Sequence, residues 1–316
     1  MPSKRKKPIL ADMHNHLDEK KIKPNDWWAA VKRKKLSVIA ITEHAEYTPR
    51  NSYKKLIKIK PKNVILIPGM EANTSAGHLL IFGTDESLYS VPDIQTIKVP
   101  VEKALQRVNE YGLIACFAHP YGFKSDSTCT VLGEKKSMAL IKKYKVGAEY
   151  YNGMLGSANN FIFGTQWVKK LYNFFDFMSK SRAGRALLIK KKSTKIKTQL
   201  ERISEETFDR VRKGIEFGNN ATYISVGSDA HYPHAIGCAV IELKRIPKNE
   251  EDFLFMIRKK EIKWAGPNIY SNKPIDSIKK KEMLEGLKYA VKKKIKKPFT
   301  KLKLRKIRRN RVWSAQ

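Results

Sequence analysis

The chain has 316 residues, 41% of them apolar, which suffices for one large core or two modest ones and excludes a low-complexity protein. Its 64 Lys and Arg against 30 Asp and Glu give a net charge of +34, an excess that favours contact with phosphate backbones or anionic surfaces and says nothing about fold. No run approaches the ~20 apolar residues needed to span a bilayer, and Cys116, Cys129 and Cys238 show no CxxC pairing, so a soluble, unprocessed, cytoplasmic protein without disulfides is expected.

Short apolar runs at 9–13, 38–42, 64–70, 78–82, 113–117, 147–151 and 223–228 read as seven strands alternating with helical patterns, which predicts an α/β fold around a parallel sheet. Pro100 opens a helix with Val101, Ala104, Leu105 and Val108 on one face, and Gly112 ends it. Residues 154–203 break the rhythm. They are aromatic first (Phe161, Phe163, Trp167, Tyr172, Phe174, Phe175, Phe177) and basic afterwards, and predict a helical insertion whose aromatics form a packed face. A further helix is expected over about 205–217, capped by Ser204, closed by Gly218, and burying Phe208, Val211 and Ile215. After about 271 a basic helical extension follows, with Leu284, Leu287, Val291 and Ile295 on one face, then a basic tail to 316. The charge concentrates in these additions: residues 169–213 hold 14 basic and 5 acidic residues, and 279–311 hold 16 and 2. The expected division is therefore a domain over 8–270 that includes the insertion, and an extension over 271–316.

All seven histidines stand at or shortly beyond strand-like runs, and most have a carboxylate nearby. His14 and His16, one residue apart, project to one side of an extended chain. His44 follows Glu43, Glu71 precedes His78 by seven residues, His119 ends an apolar run, and Asp229 and His231 repeat the alternate spacing. Strand ends of α/β barrels and open sheets are where active sites sit, and a closed or distorted seven-stranded barrel would bring all five segments to one cleft. Imidazole and carboxylate ligands suit zinc, manganese or iron, and this set exceeds what one ion can use, so two or three ions are expected. Such centres activate a hydroxide and neutralise the charge of a phosphoryl group, with Glu71 as the bridging carboxylate.

The succession DMHNH, ITEH, GMEANTSAGH, AHP and GSDAH, spanning residues 12 to 231, resembles the PHP (polymerase and histidinol phosphatase) family. That resemblance implies a distorted seven-stranded TIM-like (β/α)7 barrel that hydrolyses phosphoesters with up to three metals. It would assign His14, His16, Glu71 and Asp229 to one ion, Glu71, His78 and His119 to a second, and His44 and His231 to a third. Glu71, His119, Asp229 and His231 would carry the reaction. Two departures stand out: Glu43-His44 replaces the common Asp-His, and HLDEKK replaces the turn that usually completes the third site, leaving Asp18 or Glu19 to supply the ligand. Asp12 is expected to orient a ligating histidine, Glu43 and Asn152 to border the cleft, and His234 to be a bystander or a substrate contact. The expected substrate is a nucleotide, oligonucleotide or phosphorylated small molecule. The alternative is a nucleic-acid-binding accessory protein whose basic segments carry the function.

Overall fold

Apolar runs bounded by turn residues give the protein nine strands, described here from a computed structural model over residues 7–122, 125–157, 166–180 and 187–271. They are β1 (Leu10–Asp12), β2 (Leu36–Ile41), β3 (Ile65–Thr74), β4 (Gly77–Phe82), β5 (Ile114–Phe117), β6 (Gly147–Asn152), β7 (Ile224–Gly227), β8 (Ala239–Leu243) and β9 (Ile262–Pro267). The helices are α1 (Pro24–Arg33), α2 (Pro49–Ile57), α3 (Val101–Glu110), α4 (Thr128–Leu132), α5 (Glu134–Tyr144), α6 (Gln166–Lys180), α7 (Leu187–Asn219) and α8 (Glu250–Arg258). All lie in the first of two compact units, Met1–Ser277. The extension expected after 271 falls outside the described residues, as do Phe161 and Phe163.

The seven expected strands all form, in one sheet of order β7-β6-β5-β4-β3-β2-β1-β8-β9. Two strands were missed. β8 follows the histidine-bearing loop, in which Pro233 and Gly237 (φ +71°) make the turn, and β9 reads IKWAGP, whose Gly and Pro disfavour a strand except at an edge, where β9 lies. Nor is the sheet all parallel: β4 runs antiparallel to both β3 and β5, because only Ser75 and Ala76 separate β3 from β4 and such a link makes a hairpin. The sheet nearly closes on itself. The chain beyond β1 meets the end of β7 through Met13 N–H to the Val226 carbonyl (3.0 Å), Asp229 N–H to His14 (2.8 Å) and His16 N–H to Ala230 (3.0 Å).

α3 buries Val101, Ala104, Leu105 and Val108 as its spacing predicts, and Gly112 follows it at φ +65°. The fully buried Trp27, Phe82, Phe117 and Phe253 anchor the packing around the sheet. Within the expected insertion the described residues form α6 and the first part of α7, and the boundary expected near 204 is absent. α7 runs unbroken for 33 residues, so Ser204 lies inside it rather than capping a new helix. Phe208, expected inward, is 58% exposed, while Val211 and Ile215 pack against the core. Phe174 and Phe177 are also exposed while Tyr172 and Phe175 are half-buried, so the described aromatics of α6 are packed only in part. Several of the cations on α6 and α7 are paired: Lys180 and Lys197 meet Asp176, and Arg212 and Lys213 meet Asp209. Among the described residues no helix is long and apolar enough to cross a membrane.

Candidate metal centre

Because β1, β2, β3, β5 and β7 all deliver their C-terminal ends to one rim, the segments that follow them converge there. His78 joins from the start of β4, a position that the antiparallel direction of this strand brings to the same rim. Asn73 pairs with His78 across the hairpin, so Glu71, two residues before Asn73, lies diagonal to His78 on the same face.

Glu71 is the hub. Its Oε2 lies 3.2 Å from His14 Nε2, 3.5 Å from His16 Nε2 and 3.1 Å from His44 Nδ1, and its Oε1 lies 2.7 Å from His78 Nδ1 and 3.1 Å from His119 Nε2. Asp229 Oδ1 approaches His16 Nε2 at 3.2 Å and His14 Nε2 at 3.6 Å. Glu19 Oε2 lies 2.7 Å from His231 Nε2 and 3.5 Å from His44 Nε2. Three ligand groups result, each with its donor atoms within 4.8 Å of one another: His14, His16 and Asp229; His44, Glu71 and His78; and His16, Glu19, His44 and His231.

Two features make these donors fit divalent ions. Ligands held at 2.0–2.2 Å from one ion stand roughly 3.0–3.6 Å apart. The ring formed by His14 Nε2, Glu71 Oε2, His16 Nε2 and Asp229 Oδ1 has edges of 3.2, 3.5, 3.2 and 3.6 Å. Second, four imidazoles turn Nε2 into the cluster and set Nδ1 against an oxygen. His14 uses Glu149 at 2.9 Å, His16 uses Glu43 at 3.5 Å, His119 uses Ser127 at 3.3 Å and His231 uses the Asp229 carbonyl at 3.0 Å. That backing fixes ring orientation in metal-binding histidines. Of these contacts, the 3.5 Å approach of His16 Nδ1 to Glu43 is too long for a hydrogen bond and leaves that nitrogen buried without one.

The electrostatics agree. Burial alone would raise the Glu71 carboxyl, but the imidazoles of His44, His78 and His14 and the hydrogen bond from His119 outweigh it and hold the group well below the usual carboxylate range. Asp229 follows the same pattern, burial opposed by His14, His16 and His231. Burial pushes the His14 imidazole down, and the charges of Asp229, Glu149 and Glu71 more than reverse it. A site that keeps carboxylates ionised beside imidazoles is one that a cation stabilises.

The bordering residues divide differently from expectation. Glu43 accepts from Leu17 N–H (2.8 Å) and Asp18 N–H (2.5 Å) and so pins the loop carrying Glu19. Asn152 donates to Glu149 Oε2 at 3.0 Å and Asp229 Oδ2 at 3.1 Å, leaving Asp229 Oδ1 for the histidines. Asp12, expected to orient an imidazole, instead accepts from Ser228 N–H (2.9 Å), Ser228 Oγ (2.6 Å) and Gly237 N–H (2.8 Å), stapling β1 to the chain between β7 and β8. Burial raises its carboxyl to about 6 against those bonds. His234 belongs to none of the ligand groups and stacks on Tyr232. Of the two candidates for the third group, geometry selects Glu19, because Asp18 is engaged by Ser52 and Lys55. Glu149 was missed altogether. Its only sequence signal is one carboxylate inside the strand GAEYY, where it is now fully buried between His14 and the His119 N–H. His119 and Asp229 adopt φ of 25° and 51°, backbone strain of the kind that concentrates at functional sites.

The profile of the family described as PHP-associated matches residues 223–262, the segment that runs from β7 with Asp229 and His231 to the start of β9. That match supports the resemblance of the five motifs to the PHP family. No curated protein matches it in sequence. The rim carries His/Glu/Asp groups able to hold metal ions.

Proposed function

We propose that this protein hydrolyses a phosphoester at a centre of two or three divalent ions, and that residues 8–270 form the catalytic domain. The observation that carries this reading is the inward Nε2 geometry of His14, His16 and His119 around the shared Glu71 carboxylate, with the Nδ1 of His14 and His119 backed by Glu149 and Ser127. His14, His16, Glu71 and Asp229 would hold one ion, Glu71, His78 and His119 a second, and Glu19, His44 and His231 a third, with zinc, manganese or iron all suited to the donors. Bound ions would supply a water of lowered pKa and offset the phosphoryl charge. The chain's own residues set the approach. His14, His16 and Asp229 lie buried beneath, whereas His44, His78, His231 and Glu19 are partly open, so a substrate enters over these four.

Reconstitution of metal-free protein with manganese, zinc or iron, followed by a panel of sugar phosphates, histidinol phosphate, nucleotides, cyclic nucleotides and short oligonucleotides, tests the proposal. Metal-dependent release of phosphate or a cleaved ester, abolished by chelation and by Asp229→Asn, is expected. Absence of turnover across the whole panel with ions bound would refute it. For the third group, Glu19→Gln should lower metal content by about one equivalent per chain while preserving the other two. An unchanged metal inventory would exclude Glu19 as a ligand.

A further inference from the structure

A second concave site lies at the other end of the same strands. A cavity of about 470 Å³ opens where the chain enters β5, β6 and β7, and its size falls in the range of small-molecule sites. Tyr223 and Asp229 are six residues apart along one extended segment, so the cavity lies about 20 Å from the metal centre. Its floor is apolar and buried, built from Val108, Tyr144, Val146 and Tyr223. The Tyr223 hydroxyl is spent on the Ala115 carbonyl at 2.9 Å, so the floor offers this ring as an apolar face.

The rim is cationic. Lys143, Lys145 and Arg258 border the opening, and no carboxylate lines it. Lys143 is tied to Glu102 at 2.6 Å, just beyond the lining. Arg258 gives only one nitrogen to the Gly112 and Leu113 carbonyls, at 3.1 and 3.0 Å, which fixes the guanidinium while leaving its other N–H groups for a ligand. Lys145, held in the left-handed conformation at the end of α5, donates its backbone N–H to the Ile141 carbonyl, and its ammonium makes no hydrogen bond or ion pair among the described residues. The side chains of Asn109 and Thr222 add polar groups to the same rim. An apolar floor beneath the Lys145 ammonium and the remaining N–H groups of Arg258 selects a ligand with a flat ring and an anionic group, and a guanidinium fork beside an ammonium suits a phosphoryl group.

We infer that the cavity at the N-terminal ends of β5, β6 and β7 binds a nucleoside monophosphate or a molecule of the same chemistry, with its ring on Val146 and Tyr223 and its phosphoryl group at Lys145 and Arg258. This site is separate from the proposed hydrolytic centre and contains no metal-binding side chain, so occupancy does not depend on the ions. Equilibrium dialysis of adenosine monophosphate against the full chain in excess chelator reads it directly. About one equivalent should bind. Adenosine and inorganic phosphate, each lacking half the recognition, should compete weakly. Lys145→Glu and, separately, Asn109→Trp, which fills the cavity from an exposed helical position, should each weaken binding by about tenfold or more while leaving the melting curve in place. Retained affinity in both variants, competition by phosphate alone as strong as by the nucleotide, or no binding at about 1 mM would overturn the inference. Because the assay contains no active metal, its failure leaves the hydrolytic reading untouched.

Discussion

Replacing Glu71 with alanine should strip most bound metal from the protein and lower phosphoester hydrolysis by roughly 10³-fold or more, the equivalent of about 4 kcal/mol of transition-state stabilisation. The size follows from what one carboxylate does. Its two oxygens face five imidazoles, three on Oε2 and two on Oε1, so its removal takes a shared ligand from two proposed ions and leaves the one at His78 and His119 with no carboxylate. What remains is a set of buried, mutually repelling imidazoles that bind a cation poorly. Glu71→Gln keeps the shape but loses the charge, and should resemble alanine more than the parent. Metal analysis separates the two links of the argument. A variant that retains all its ions yet loses turnover would show Glu71 acting in chemistry alone, and one with full metal and full activity would reject the bridging role.

The second large effect lies in the seam that closes the sheet. A Cβ placed on Gly227 would stand 2.1 Å from His14 Cβ and 2.4 Å from His14 N, distances no rotamer change can relieve because backbone is involved. Gly227→Ala must therefore push β7 away from the chain beyond β1, breaking the contacts from Met13 to Val226 and from Asp229 to His14. Overpacking of this kind costs about 3 kcal/mol, a fall of roughly 6–12 °C in melting temperature for a protein of this size. The same displacement separates His14 from Asp229, so metal affinity should drop with stability. Gly112→Ala is the contrast: Gly112 has φ +65° with open space around it, so only backbone strain of about 1 kcal/mol applies. Equal melting shifts for the two variants would mean the seam tolerates the methyl group.

Much of the rim was legible because its spacing is local. Alternation places His14 and His16 on one side of a strand, and the seven-residue interval from Glu71 to His78 spans a two-residue hairpin turn, so each pair shares a face wherever the strands end up. The helix at Val101–Glu110 and the seven strand cores were readable for the same reason. Period said nothing about direction or partners. It took the hairpin to show β4 running backwards, and the chain after β7 to add β8 and β9. It could not separate Asp18 from Glu19, adjacent carboxylates of which Ser52 and Lys55 claim the first and His231 the second.

The sequence by itself determined the candidate residue types, their order and the strand ends that bear them, since these depend on neighbours within a few residues. Tertiary structure decided that Glu71 serves five histidines, that buried Glu149 backs His14, that Asp12 staples strands instead of orienting a ring, and that Phe208 faces solvent. Those outcomes depend on contacts between segments up to 225 residues apart, as between Asp12 and Gly237, whose geometry is fixed only when the sheet closes and its interior packs.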